Sequence, residues 1–141
     1  MLFRSRFSTL AGERVFVSAD DRFSSLFASF AASALPVRIW RYGNGQFVDV
    51  TRRFRATIAA DAARLWRGSQ HARRAGADAR GLFAAWAADT CALGKKTTVL
   101  RELARAVAAG AFSPPRAEAG PAGRSYAAAL RGKLRTWGYC R

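Results

Sequence analysis

Histidine is almost missing from this chain: His71 is the only one. Any Ser-His-Asp arrangement must therefore run through His71. It lies at the Arg-rich end of a helical stretch, where a cation suits the helix dipole better than it suits catalysis. Carboxylates are also few, nine among 141 residues, and they are scattered. The one adjacent pair, Asp20-Asp21, reads as a helix cap rather than as the placed pair a glycosidase needs. No P-loop, dinucleotide fingerprint or nucleophile elbow occurs. The sequence is thus read as that of a non-enzyme, with no catalytic residue, no metal site and no cofactor.

Long apolar runs are lacking too. The longest uncharged run, Phe23 to Val37, contains Pro36 and falls short of the ~20 residues a bilayer requires. No transmembrane segment is expected. Arg4 and Arg6 interrupt the first thirteen residues and no apolar core follows them, so no signal peptide is read here. An exported protein of this kind would carry its signal outside this chain. The two cysteines, Cys91 and Cys140, fit no zinc spacing. One falls late in a helix and the other just past the end of the last helix. They are a candidate disulfide if packing brings their Cα atoms within ~4.4–6.8 Å. Two unpaired thiols beside a helical core is the alternative.

Basic charge, by contrast, is abundant, with a net +15. Of the basic residues only Lys95, Lys96 and Lys133 are lysine. Arginine and alanine at the expense of lysine is what GC-rich coding produces without selection for a ligand. The arginines are dispersed, and their longest runs are pairs such as Arg52-Arg53. A solvated basic face is the first reading, and a polyanion-binding face the second.

The chain is organised around VRIWRYGNGQFVDVT, Val37 to Thr51. Asn44-Gly45 suits a two-residue type I′ turn, in which both residues need φ > 0. The register then places Tyr42 opposite Phe47, Arg41 opposite Val48, Trp40 opposite Asp49 and Ile39 opposite Val50. One face carries Val37, Ile39, Val48 and Val50, with Arg41 at its lip. The other carries Trp40, Tyr42 and Phe47. An isolated hairpin with two apolar faces is not stable in water, so each face needs a cover. The helices supply one. The N-terminal aromatic segment, or something outside this chain, must supply the other.

Before the hairpin, Arg14 to Ser18 reads as a short strand. Asp20 is placed to cap a short helix carrying Phe23, Leu26, Phe27 and Phe30, which Pro36 ends. After the hairpin, Thr51 reads as the cap of a helix with Phe54, Ile58, Ala62, Leu65, Trp66 and Ser69 on its buried face, closed by Gly76. Asp78 caps a second helix with Leu82, Phe83, Trp86, Thr90 and Leu93, closed by Gly94. A third carries Val99, Leu100, Leu103 and Val107 and stops at Gly110. Residues 111–124 read as a surface loop. Ser125 caps a last helix with Tyr126, Leu130, Leu134 and Trp137, ended by Gly138. The expected fold is α+β and mostly α. An aromatic segment plus β-hairpin spans 1–54, a small four-helix bundle spans 55–141, and the two form one packed unit.

The pattern DDRF…P-V-R-I-W-R-Y…G-Q-F-V-D-V-T-R-R-F, from Asp20 to Phe54, resembles a segment of uncharacterised bacterial proteins. In those proteins it follows FG-GAP or VCBS-like β-propeller-type repeats and leads into a helical C-terminal region. The likeness continues around Asp61-Ala62-Ala63 and Trp86-Ala87-Ala88-Asp89. It implies that 1–54 is the end of a propeller-like unit in a truncated member, an extracytoplasmic setting and no known activity. The missing propeller-like region, or another protein, is then the implied partner. The Asp-x-Asp-Gly-Asp-Gly calcium loop of such repeats is absent, so calcium binding is not carried over. A second function class remains. Residues 82–109 have a helix, glycine turn, helix order resembling a DNA-binding helix-turn-helix, with Leu100 as its inner residue. Lys95, Lys96, Arg101 and Arg105 would be its phosphate contacts. Thr90 is a poor fit where that motif wants a small residue, and nucleic acid is not the favoured partner.

Overall fold

The computed structural model describes residues 5–24, 26–27, 34–113 and 120–141. Four strands precede four helices: β1 (Arg6–Leu10), β2 (Glu13–Ala19), β3 (Val37–Gly43), β4 (Gln46–Asp49), α1 (Arg55–Arg74), α2 (Arg80–Ala92), α3 (Lys96–Ala108) and α4 (Gly123–Thr136). The strands form one antiparallel meander in the order β1-β2-β3-β4. The architecture is α+β and mostly α.

The β3–β4 hairpin has the expected register, with Tyr42 opposite Phe47 and Trp40 opposite Asp49. The Val50 amide donates to the Ile39 carbonyl at 2.9 Å, continuing the pairing past β4. Asn44 and Gly45 sit at φ 50° and 76°, as a type I′ turn requires. The strand read at Arg14 to Ser18 is present within β2, but the N-terminal segment as a whole does not cover the hairpin as expected. It is a second hairpin, β1–β2, joined through Ala11 and Gly12 at φ 49° and 78°. It extends the sheet sideways, with Phe7 opposite Phe16 and Phe16 opposite Trp40, and so covers neither face of the first hairpin.

Side chains alternate across a strand, which sorts this sheet into two faces. Val15, Val17, Val37, Ile39 and Val50 point inward and are buried. Val48 shares their face but lies near the hairpin tip, beyond the helices, and is exposed. The helices cover the inner face only.

Asp20 caps a single 3-10 turn, Asp21–Phe23, rather than the start of a longer helix. Its carboxylate accepts from the Arg22 amide at 3.2 Å. Phe23 and Phe27 are buried, Leu26 is partly so, and Phe30 lies outside the described residues. Thr51 opens another 3-10 turn, and Phe54 then takes the N-cap position of α1 without a side-chain cap. The Thr51 hydroxyl is used elsewhere: it accepts from the Ile39 amide at 2.9 Å.

α1 buries Ile58, Ala62, Leu65, Ser69 and Ala72. It packs antiparallel on α2, because the close pairs run in opposite senses. Trp66 meets Trp86 at 4.6 Å between ring centroids, and Gly68 lies against Leu82. α2 is the centre of the molecule. Every residue of it except Leu82 is buried, including the alanines outside the expected stripe. A helix so rich in alanine admits neighbours on all sides. α3 buries Val99, Leu103 and Ala106, and α4 buries Tyr126, Ala127, Leu130 and Leu134. Phe112, read as part of a surface loop, is buried between Phe83 and Tyr126. Among the described residues no helix is long and apolar enough to cross a membrane.

Candidate functional site

The outer sheet face is lined with aromatic rings. Phe7 and Phe16 lie 5.2 Å apart, Phe16 and Phe47 5.7 Å, and Phe47 and Tyr42 5.1 Å, all tilted. The rings therefore form a continuous chain across the sheet. Phe7 is 57% exposed, Tyr42 60% and Phe47 49%. A buried aromatic hides ~150–250 Å², so these three leave roughly 300 Å² of ring surface open to solvent. Neighbouring strands hold the rings in place, so a partner would meet a surface already ordered.

A second centre lies where the sheet, the end of α2 and the chain beyond α4 converge. Asp20 is buried and accepts from Arg22 Nε at 2.8 Å, Arg22 Nη2 at 2.6 Å, Arg38 Nη2 at 3.3 Å and the Tyr139 hydroxyl at 2.6 Å. Burial alone would raise its pKa. The Arg22 and Tyr139 hydrogen bonds and the Arg38 charge outweigh that and hold the carboxyl below its ordinary range. Burial, and then the bond to Asp20, push the Tyr139 phenol far above its ordinary value, so it stays protonated. Arg38 also bonds Asp49, whose other oxygen accepts from the Thr51 amide at 2.9 Å and the Thr51 hydroxyl at 2.6 Å. Arg52 donates to the carbonyls of Ala92, Gly138 and Tyr139, and Arg55 to that of Leu93. Carbonyls at helix ends lack partners within the helix, and these guanidinium groups supply them.

The disulfide candidates meet at this junction. Cys91 and Cys140 are joined, with their Cα atoms 4.9 Å apart. Asp20 is saturated with donors, Tyr139 keeps its proton and the sulfurs are bonded to each other. The chemistry of this centre is that of a clamp fixing the last turn of the chain to the sheet and to α2.

The residues of the helix-turn-helix-like reading lie elsewhere, at the start and along the exposed side of α3. Lys95 is the N-cap of α3 and Lys96 its first residue. Arg101 and Arg105 are exposed, and each bonds Glu102, at 3.3 and 3.2 Å. Leu100, the residue that reading requires inside, is 38% exposed. Val99 and Leu103 take the inner positions instead, so the expectation for Leu100 is corrected. His71 is exposed in the last turn of α1.

Two buried ionic features escaped the sequence. Arg80 is 1% exposed. It bonds both oxygens of Asp78, at 2.9 and 2.7 Å, and the Pro121 carbonyl at 3.0 Å, while the Tyr126 hydroxyl donates to the Arg80 carbonyl at 2.7 Å. Asp89 of α2 is equally buried and lies beside Asp61 of α1. Desolvation, then the Asp61 carboxyl, raise the Asp89 pKa well above the usual range. One oxygen of each, Oδ2, is buried without a hydrogen-bond partner. The signal available in the sequence was weak: two single acids, each on a helix whose buried positions are otherwise mostly apolar or small.

No protein-family profile matches the chain. No solved structure matches it either. A stretch of 36 residues is 53% identical to part of the protein described as "Probable thylakoid lumen protein" from Synechocystis sp.. That stretch is 26% of this chain and 11% of the Synechocystis protein.

Proposed function

We propose that this chain is a non-catalytic structural or protein-interaction module of an extracytoplasmic bacterial protein, docking through its outer sheet face on a propeller-like region of FG-GAP or VCBS type. The observation that carries the proposal is the chain of exposed rings from Phe7 to Tyr42 on an ordered four-stranded sheet. Propeller blades are four-stranded antiparallel sheets that bury their faces on neighbouring blades. The meander has that strand number and order. The Synechocystis protein is by its description lumenal, a compartment topologically outside the cytoplasm, and the Cys91–Cys140 bridge suits an oxidising compartment. Both support the extracytoplasmic part.

The experiment is a pair of substitutions, Tyr42→Ser and Phe47→Ser, in the full chain. Association with a propeller-like repeat region of the resembled type should be lost while the melting curve barely moves. Association that survives both substitutions overturns the reading. The polyanion alternative at 82–109 is disfavoured by the outward Leu100 and by the pairing of Arg101 and Arg105 with Glu102.

A further inference from the structure

Beside the C-terminal clamp is an open cleft of about 450 Å³. Among the described residues its lining includes the side chains of Arg38, Arg52, Arg53 and Arg141, with the side-chain carboxylate of Asp49. That carboxylate is already committed to Arg38 and to Thr51. Among the described residues Arg52 bonds carbonyls and no carboxylate. Three of its N–H groups go to the carbonyls of Ala92, Gly138 and Tyr139, and a guanidinium has five. Arg53 is more than half exposed, and its bond to Glu13 is one that an exposed side chain exchanges readily. Burial, and then the neighbouring Arg141 charge, hold Arg52 below the ordinary guanidinium value. The cleft thus gathers cations at a cost in mutual repulsion that an anion would relieve.

The aromatic wall narrows the chemistry. Trp137 already has Arg22 at 4.7 Å and Lys133 at 5.4 Å from its ring, and Phe23 packs on it edge-on. The other ring of the lining, Tyr139, has Arg38 at 5.2 Å from its centroid, so both rings of the wall are already engaged by cations. Recognition in the cleft is therefore ionic, through planar guanidinium forks that match phosphate oxygens.

We propose that this arginine cleft is a binding site for a compact phosphate-type anion of diphosphate size. The site adjoins the outer sheet face, since Arg38 and Asp49 alternate to the same side as Trp40, but none of the exposed rings lines it, and the inference does not depend on the function proposed above. It also differs from the α3 surface, where Arg101 and Arg105 share Glu102.

The test is calorimetric titration of the full chain with inorganic pyrophosphate in ~0.1 M salt, where charges more than ~10 Å away are largely screened. Two double variants with equal charge change are compared, R53E/R141E in the cleft and R101E/R105E on α3. A neutral version, R53Q/R141Q, and melting curves guard against a folding defect. The proposal expects saturable binding, weakened at least ~10-fold by R53E/R141E and clearly weakened by R53Q/R141Q. It expects less than ~2-fold change in R101E/R105E. Absence of saturable binding, or equal losses in the two charge-reversed variants, overturns it.

Discussion

Reducing the Cys91–Cys140 bridge should destabilise the chain by an amount the loop length sets. The bridge closes a loop with a sequence separation of 49, containing α3 and α4. The chain-entropy relation gives ~4 kcal/mol for a loop of this size as an upper value. Unfolding entropy of ~2.1 cal/mol/K per residue, over 141 residues, converts that into a fall in Tm of roughly 10–15 °C. The folded state should survive, because Arg52 still holds Gly138 and Tyr139, and Tyr139 still holds Asp20. The assay is thermal unfolding by circular dichroism with and without a phosphine reductant, repeated on C91S/C140S. Intact mass after alkylation verifies the bridge. A Tm unchanged within ~2 °C while mass confirms loss of the bridge would refute the reasoning, because the loop closure would then carry no free energy.

Asp89→Asn should remove a pH dependence. Burial raises the folded-state pKa of Asp89, so its contribution is fully present below the ordinary carboxylate range and is lost as pH rises through the raised value. The variant should show a flatter stability profile than the parent between the ordinary carboxylate range and the raised value, read by urea unfolding across pH; an unchanged slope contradicts this. Asp20 has the opposite sign. Its folded pKa is lowered, so its contribution is present above the ordinary range and fades as pH falls through the lowered value. Asp20→Asn should therefore flatten the profile below the ordinary carboxylate range and leave its slope above that range as it was. Arg80→Met leaves Asp78 nearly buried without its bidentate partner and should cost about 3–5 kcal/mol in urea unfolding. A cost under ~1 kcal/mol would mean that Asp78 is satisfied by others. Leu100→Lys should change stability by no more than ~0.5 kcal/mol, whereas Leu103→Ala should cost ~2–5 kcal/mol.

The parts of the fold that are local in sequence were legible. Asn44-Gly45 fixed the β3–β4 register, and Gly94, at φ 81°, ends α2 as read. Of the β1–β2 hairpin the strand at Arg14 to Ser18 was legible, but β1 and the turn were not, because the turn uses Ala11 in a left-handed conformation that alanine rarely adopts. Thr51 had the composition of a helix cap, but its hydroxyl does more for the sheet, pairing with Ile39 and Asp49. Leu100 and Leu103 are the same residue type three apart, and only the packing of α3 decides which faces in. The candidate sites were less visible still. The clamp joins Asp20 to Tyr139 across 119 residues, and Asp61 meets Asp89 only because α1 and α2 run antiparallel. The outer aromatic face was half visible: Tyr42 and Phe47 were placed together, but Phe7 and Phe16 needed the extra strands.

The proposed docking of the outer sheet face is tested most directly by photo-crosslinking in the producing cell. A benzophenone side chain is placed at Tyr42, at Phe47 and, as a control on α3, which packs on α2 and α4, at the exposed Leu100. Adducts are mapped by peptide mass spectrometry. The account predicts that positions 42 and 47 crosslink to β-strand segments of one propeller-like region while position 100 does not. Absence of adducts at 42 and 47, or the same scattered adducts at all three positions, would contradict it.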